Sequence, residues 1–151
     1  MPQSLSNILV HIIFSTKERF PFLKDPAVRA QLHSYMAGIL IDENCPGLLV
    51  GGAQDHTHIL CQLGRTSCIA DLVKNTKRSS SIWVKDLDPS LHQFAWQKGY
   101  GAFSIGQSQV EQVKNYIRRQ DRHHRRVSFQ DEFREFLRRY QVDFDERYVW
   151  D

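Results

Sequence analysis

"GGAQDHTHILCQLG", running from Gly51 to Gly64, sets two histidines one residue apart at the start of what otherwise reads as an apolar strand. Side chains alternate across a β-strand, so His56 and His58 point the same way while Thr57, Ile59, Cys61 and Leu63 take the opposite face. The second set is β-branched or apolar, the character of a surface pressed onto a core. At about 3.3 Å rise per residue the two imidazoles stand about 7 Å apart at the backbone, which suits two ligands of one divalent metal. A histidine in a strand also serves simply as a hydrogen-bonded, partly buried residue, so the pair needs partners elsewhere in the chain.

Before this strand, "LLVGGAQ" reads as another, with Gly51, Gly52 and Asp55 available for the turn between them. Further upstream, "SNILVHIIFST" is a first strand with Ile8, Val10, Ile12 and Phe14 on one face. Asp25-Pro26 is a cap followed by proline in the first turn; Val28, Leu32, Tyr35, Met36, Ile39 and Leu40 then recur at helical spacing to about Asn44. Downstream, a second helix is predicted from Thr66 or Ser67, with Ile69, Leu72, Val73, Thr76 and Trp83 inward and Lys74, Lys77 and Arg78 on a basic side. Tyr100 to Ile105 forms a fourth strand. Ser108 to Glu111 fits a capping box opening a third helix, whose Val110, Val113 and Ile117 face inward. Ser128 caps a last helix with Phe129, Phe133, Phe136, Leu137 and Tyr140 as its apolar stripe.

The order β-α-β-β-α-β followed by helices predicts an α+β fold: a ferredoxin-like split βαβ arrangement with an antiparallel sheet of four to five strands, helices packed on it, and a C-terminal tyrosine-bearing helix. First and third strands are central neighbours in that topology. The histidine pair therefore opens a central strand, a rigid support for a site.

A chain of 151 residues has the size of one domain, taken here as 1–151, and can bury a real core. With 41% hydrophobic and 25% charged residues and no apolar run near 18 residues, it is expected to be soluble, without a membrane partner. The N-terminus lacks a basic segment and a cleavage site, which predicts a cytosolic protein. Cys45, Cys61 and Cys68 are odd in number and lack C-x-x-C spacing, so they read as reduced structural thiols. A formal charge of +3 permits nucleic-acid binding without demanding it. Arg118, Arg119, Arg122, Arg125 and Arg126 crowd into "RRQDRHHRR", which is either a solvated face or a phosphate-contacting one.

In "VKNYIRRQ", Tyr116 and Gln120 are four residues apart and so share a helix face. With the His-x-His strand, "WQKGYGAFS", "YIRRQDRHH" and the closing "DERYVWD", the chain resembles the single-tyrosine HUH transposases of the insertion-sequence 200/605 group over nearly its whole length. Thr57 stands where a hydrophobe separates the histidines of that family's motif. The resemblance implies that His56 and His58 bind a divalent ion, Mg²⁺ or Mn²⁺, with Gln120 as third ligand. It implies that Tyr116 attacks a phosphodiester of single-stranded DNA, forming a 5′-phosphotyrosine and freeing a 3′-hydroxyl. It further implies hairpin-ended DNA as partner, a homodimer with active sites that can be shared between subunits, and action at the nucleoid of a prokaryotic cell.

Elementary chemistry supports these roles. A tyrosine hydroxyl with a pKa near 10 is only about 0.1% ionised at pH 7, so it needs help from its site. Two imidazoles and an amide oxygen leave metal positions open and carry no negative charge to repel a phosphate. Exchange of one phosphodiester for a phosphotyrosine ester needs no ATP, and no Walker signature occurs. Lys17, Arg19, Lys74, Lys77, Arg78, Arg118, Arg119 and Arg122 are candidate DNA contacts as groups. His11 on the first strand either neighbours the metal site or, the preferred reading, is structural, and the roles of His123 and His124 stay open. Competing readings are a relaxase or replication initiator, a domesticated palindrome-associated nuclease, and a non-catalytic single-strand-binding module. A histidine-triad nucleotide hydrolase needs a longer alternating histidine run than "DHTHILCQL".

Overall fold

The computed structural model describes residues 2–124 and 126–151; Arg125 of the arginine cluster lies outside them. Strands β1 (Leu9–Ser15), β2 (Gly47–Gly52), β3 (His56–Gln62) and β4 (Gly101–Ile105) form one antiparallel sheet in the order β2-β3-β1-β4. Helices α1 (Pro26–Asp42) and α2 (Ile69–Leu87) are its two crossovers. Helices α3 (Val110–Arg118), α4 (Gln120–His123) and α5 (Phe129–Arg139) follow β4. This is the ferredoxin-like arrangement with a C-terminal helical addition, and β1 and β3 are central, as the element order predicts.

Residues directly opposite in an antiparallel pair share a face, and the register places Ser15 opposite His56, Ile13 opposite His58 and His11 opposite Leu60. One face thus carries Val10, Ile12, Phe14, Ile59 and Cys61, which pack with Leu32, Met36 and Leu40 of α1 and Leu72, Val73 and Val84 of α2. The other carries His11, Ile13, His56 and His58. It is covered by the C-terminal helices: Ile13 and Phe103 pack with Phe129, Phe133, Phe136 and Leu137 of α5, and Leu9 and Leu60 with Val110 and Ile117 of α3. β1 is buried along its whole length, which is why "LVHIIF" reads as a continuous apolar run rather than an alternation. Each large apolar side chain removed from water contributes about 1.5–3 kcal/mol, so both faces are held firmly.

Local signals explain most boundaries. The Asp25 carboxylate accepts from Ala27 N–H at 2.9 Å and caps α1; Ser128 Oγ accepts from Asp131 N–H at 3.1 Å and caps α5. Others differ from the sequence expectation. Ile8 lies outside β1 and is 52% exposed, because the strand begins one residue later. α2 begins at Ile69, after Cys68, rather than at Thr66 or Ser67. The Ser108–Glu111 capping box does not form: a 3-10 turn over Gln107–Gln109 precedes α3, and Gln109 Oε1 accepts from Gly106 N–H at 3.1 Å. The amide one residue after Ser108 reaches back to the loop, so the helix entry is fixed from Gly106.

Candidate functional site

The site is assembled on the histidine-bearing face of β3. His56 and His58 are fully buried, and neither ring is simply packed. His56 Nδ1 lies 2.7 Å from Asp55 Oδ1, and since a carboxylate only accepts, this ring nitrogen carries the proton. His56 Nε2 is left as a lone pair, 2.9 Å from Gln120 Oε1 and 3.7 Å from Glu132 Oε1. His58 Nδ1 meets His11 Nε2 at 2.8 Å, and His58 Nε2 lies 3.0 Å from Glu132 Oε1.

Tyr116 and Gln120 are brought to this cluster, but not by one continuous helix. α3 ends at Arg118, Arg119 departs from helical geometry (φ −96°, ψ 13°), and Gln120 opens the short α4. Gln120 is buried, and its Nε2 donates to Tyr116 O at 3.3 Å, which turns Oε1 toward His56. Arg29 of α1 holds the next residue, Asp121, at 2.9 Å and so anchors α4. The Tyr116 ring stands edge-on to His58, with centroids 5.7 Å apart, and its hydroxyl donates to Glu132 Oε2.

Glu132 is the principal residue the sequence reading missed. It is 4% exposed, and its Oε2 also faces His124 Nε2 at 3.0 Å and His123 Nε2 at 3.2 Å. Ligand atoms of His56, His58, His124 and Glu132 all lie within 4.8 Å of one another. A carboxylate thus stands among the imidazoles, beside the expected donors of His56, His58 and Gln120. A signal existed, since Phe129, Glu132, Phe133 and Phe136 follow the i, i+3, i+4, i+7 pattern, placing an acid on an apolar stripe. His11 is a hydrogen-bond partner of His58 rather than a remote core residue, although its Nδ1 is buried without a partner.

The electrostatics follow from burial and this carboxylate. Burial raises the Glu132 carboxyl, but His58, His124 and His56 outweigh it and hold it well below the usual carboxylate range. Burial pushes His58 down against the opposing pull of Glu132, and pushes His11 down further with help from His58. The Tyr116 hydroxyl is pushed above the ordinary tyrosine range, first by burial and then by the charge and hydrogen bond of Glu132. At neutral pH the site thus holds neutral imidazoles at His11 and His58, an ionised Glu132 and a protonated Tyr116.

The residues present fit a divalent cation. Acceptor atoms of Gln120, Glu132 and His56 converge at separations of 2.9 and 3.7 Å, close to the roughly 3.0–3.5 Å between neighbouring ligands around an ion with bonds of about 2.1 Å. Asp55 on the far side of His56 orients that ring as an outer carboxylate does in metal sites. A cavity of about 600 Å³ opens beside Tyr116, with Gln112, His123, Glu132, Arg138 and Arg139 in its wall.

The cationic candidates are dispersed. Lys17 is exposed in the turn after β1, while Arg19 is partly buried over the Trp150 ring at 5.7 Å. Lys74 and Arg78 are exposed on α2. Between them in sequence, Lys77 turns inward: its Nζ donates to Gly99 O at 2.6 Å and Gln97 O at 2.7 Å, and burial lowers its pKa to about 8. Arg118, Arg119 and Arg122 are exposed around the α3–α4 junction.

Fold and site together define an α+β protein with a buried histidine–carboxylate cluster and a tyrosine at its rim. Residues 4–120 match the family model described as Transposase IS200 like, and the chain belongs to that family. A solved structure from Deinococcus radiodurans R1, carrying a provisional transposase assignment, superposes with a TM-score of 0.65 at 22% identity, covering 80% of this chain and 95% of that one. The REP-associated tyrosine transposase bound to a REP hairpin superposes with a TM-score of 0.60 at 13% identity, covering 96% and 89%. At these identities the likeness is one of fold. No curated protein matched the sequence. Among the described residues no helix is long and apolar enough to cross a membrane.

Proposed function

We propose that the protein is a metal-dependent transposase that cleaves and rejoins single-stranded DNA through Tyr116. The observation that carries this reading is the convergence of the Tyr116 hydroxyl and the His56–His58 pair on one buried cluster beside an open cavity. His56 and His58, with Gln120, would hold a divalent cation, which would supply charge neutralisation and polarisation of the scissile phosphate when bound. Tyr116 Oη attacks the phosphorus; the Oη–P bond forms as the P–O3′ bond breaks. Glu132 Oε2, which already accepts from Tyr116, is the atom to which the phenolic proton passes. The departing 3′ oxygen takes up a proton from solvent water while Glu132 returns the phenolic proton to solvent, leaving a 5′-phosphotyrosine and a 3′-hydroxyl that can reverse the step. Burial of Tyr116 keeps its hydroxyl protonated until substrate arrives.

The substrate is single-stranded DNA with hairpin ends; support comes from family membership, the hairpin held by the REP-associated structural neighbour, and the exposed arginines beside Tyr116. A homodimer is part of the same reading. The test is to incubate the protein with labelled single strands flanking its own gene, with and without Mn²⁺, and resolve products under denaturing conditions. The expected result is a metal-dependent covalent adduct, lost in Tyr116→Phe by at least about 10³-fold while hairpin binding persists. Hairpin binding with no adduct under any divalent metal contradicts the assignment and favours a non-catalytic binding module.

A further inference from the structure

We propose that Glu132 of α5 is itself a ligand of the cation at His56 and His58, and that the resulting donor set selects a transition-type divalent ion such as Mn²⁺ over Mg²⁺. This rests on the metal-dependent reading of the site and adds to it a ligand from beyond the family-matched residues 4–120.

The placement of the carboxylate is the first argument. Other acids of α5 lie outward: Asp131 and Glu135 are exposed, and Asp131 pairs with Arg134 at 3.0 Å. Glu132 instead occupies the buried stripe between Phe129 and Phe133. An ionised carboxylate out of water costs several kcal/mol unless a positive charge compensates it. Among the described residues, no lysine or arginine forms an ion pair with Glu132; its ion-pair partners are His56, His58, His123 and His124. Imidazoles that ligate a metal are neutral, so in the loaded site the cation would take over the compensation that the histidines supply to Glu132 without it.

Geometry is the second argument. A single atom, Glu132 Oε1, faces both His58 Nε2 at 3.0 Å and His56 Nε2 at 3.7 Å. Those separations are close to the roughly 3.0–3.5 Å between ligand atoms of a shared divalent ion, so small shifts admit the cation between them. Asp55 at His56 Nδ1 (2.7 Å) sets that ring for ligation through Nε2. His58 becomes a ligand through Nε2 when its proton, shared there with Glu132 Oε1 at 3.0 Å, moves to Nδ1, where His11 Nε2 accepts it at 2.8 Å. Oε2 remains for the Tyr116 hydroxyl, so one carboxylate ties the cation to the attacking oxygen and fixes their separation.

Donor chemistry gives the selectivity. Mg²⁺ favours an all-oxygen octahedron with several retained waters, whereas imidazole nitrogens combined with one carboxylate suit Mn²⁺, Co²⁺ and Zn²⁺. His124 Nε2, 3.0 Å from Glu132 Oε2, stands close enough to strengthen that bias.

The test is calorimetric titration of the full chain with Mn²⁺ and with Mg²⁺ alone, in the absence of DNA. Wild-type protein is expected to bind Mn²⁺ at least tenfold tighter than Mg²⁺. Glu132→Gln is expected to lose at least tenfold in Mn²⁺ affinity while the imidazoles keep the order Mn²⁺ over Mg²⁺, and His58→Ala to lose binding. Mn²⁺ affinity unchanged in Glu132→Gln but lost in His58→Ala overturns the proposal and leaves the histidine metal site standing. No divalent binding by wild-type protein overturns both. Where Glu132→Gln fails to fold, the visible spectrum of bound Co²⁺ in Glu132→Asp decides: altered bands support ligation, and a spectrum identical to wild type overturns it.

Discussion

Gly51 of β2 lies directly beneath Ile117 of α3: a Cβ added at Gly51 would come within 2.6 Å of Ile117 Cγ2 and 3.4 Å of the Ile117 carbonyl oxygen. Gly51 also pairs with His58 across the sheet, and Ile117 follows Tyr116. The close approach of strand and helix therefore sets the distance between the candidate nucleophile and the candidate metal ligands. Gly51→Ala is expected to displace α3 and lower the rate of adduct formation about 10–100-fold, with a stability loss of only about 1–3 kcal/mol. Single-turnover cleavage and thermal melting measure the two effects separately; full activity in a stable variant would mean that this contact does not position Tyr116.

Lys77 illustrates a cation with a structural role. Its ammonium bonds the carbonyls of Gln97 and Gly99 and lies 4.8 Å from the Phe14 ring centroid, which ties α2 to the segment entering β4. Lys77→Met leaves those carbonyls unpaired and is expected to cost about 2–4 kcal/mol in chemical denaturation. Lys74→Ala and Arg78→Ala, on exposed positions of the same helix, are expected to change stability by less than about 0.5 kcal/mol and to weaken hairpin binding more than Lys77→Met does.

Acid sensitivity is expected from His33, whose pKa falls to about 4, first through burial and then through the charge of Arg29; its Nε2 is buried without a partner. The unfolded chain takes up this proton near pH 6.5 and the folded chain only near 4. The contribution is thus fully present above pH 6.5 and is lost as pH falls to about 4. His33→Gln is expected to shrink the stability difference between pH 7 and pH 4 by on the order of 1–3 kcal/mol. Denaturation curves at the two pH values check this, and an unchanged difference would assign the acid limb to other groups.

Phe14 is fully buried, with its ring edge-on to Trp96 at 4.9 Å, on the sheet face opposite the histidines. Phe14→Ala is expected to cost about 3–5 kcal/mol through the cavity it leaves. Because that cavity lies on the far face, adduct formation by the molecules that remain folded should stay within about threefold of wild type. A larger fall in activity, measured where the variant is fully folded, would show that the two faces are mechanically coupled.

The framework of this fold was legible because its signals are local. Asp25 and Ser128 cap the helices they were expected to cap, and alternation about His56 and His58 places both on one sheet face. Features that escaped the reading depend on contacts distant in sequence. Glu132 sits 74 residues from His58 and looks like one more acid on a charged helix until α5 is folded onto β3. The break at Arg119 is a second case: continuous helical spacing places Gln120 above Tyr116, while in the structure a new turn and the Arg29–Asp121 pair deliver the amide to His56. Lys77 shows the same limit, since its inward turn depends on carbonyls about 20 residues away.

The most direct test of the central claim is to identify the residue that carries DNA. Protein incubated with cleavable single strands and Mn²⁺ would be digested with trypsin and nuclease, and the modified peptide sequenced by mass spectrometry. Cleavage after Lys114 and Arg118 isolates Asn115–Arg118, in which Tyr116 is the only tyrosine. The account predicts a nucleotide-5′-phosphate mass on Tyr116 in this peptide, absent without metal. The same mass on another residue, or strand cleavage with no modified peptide at all, would contradict it.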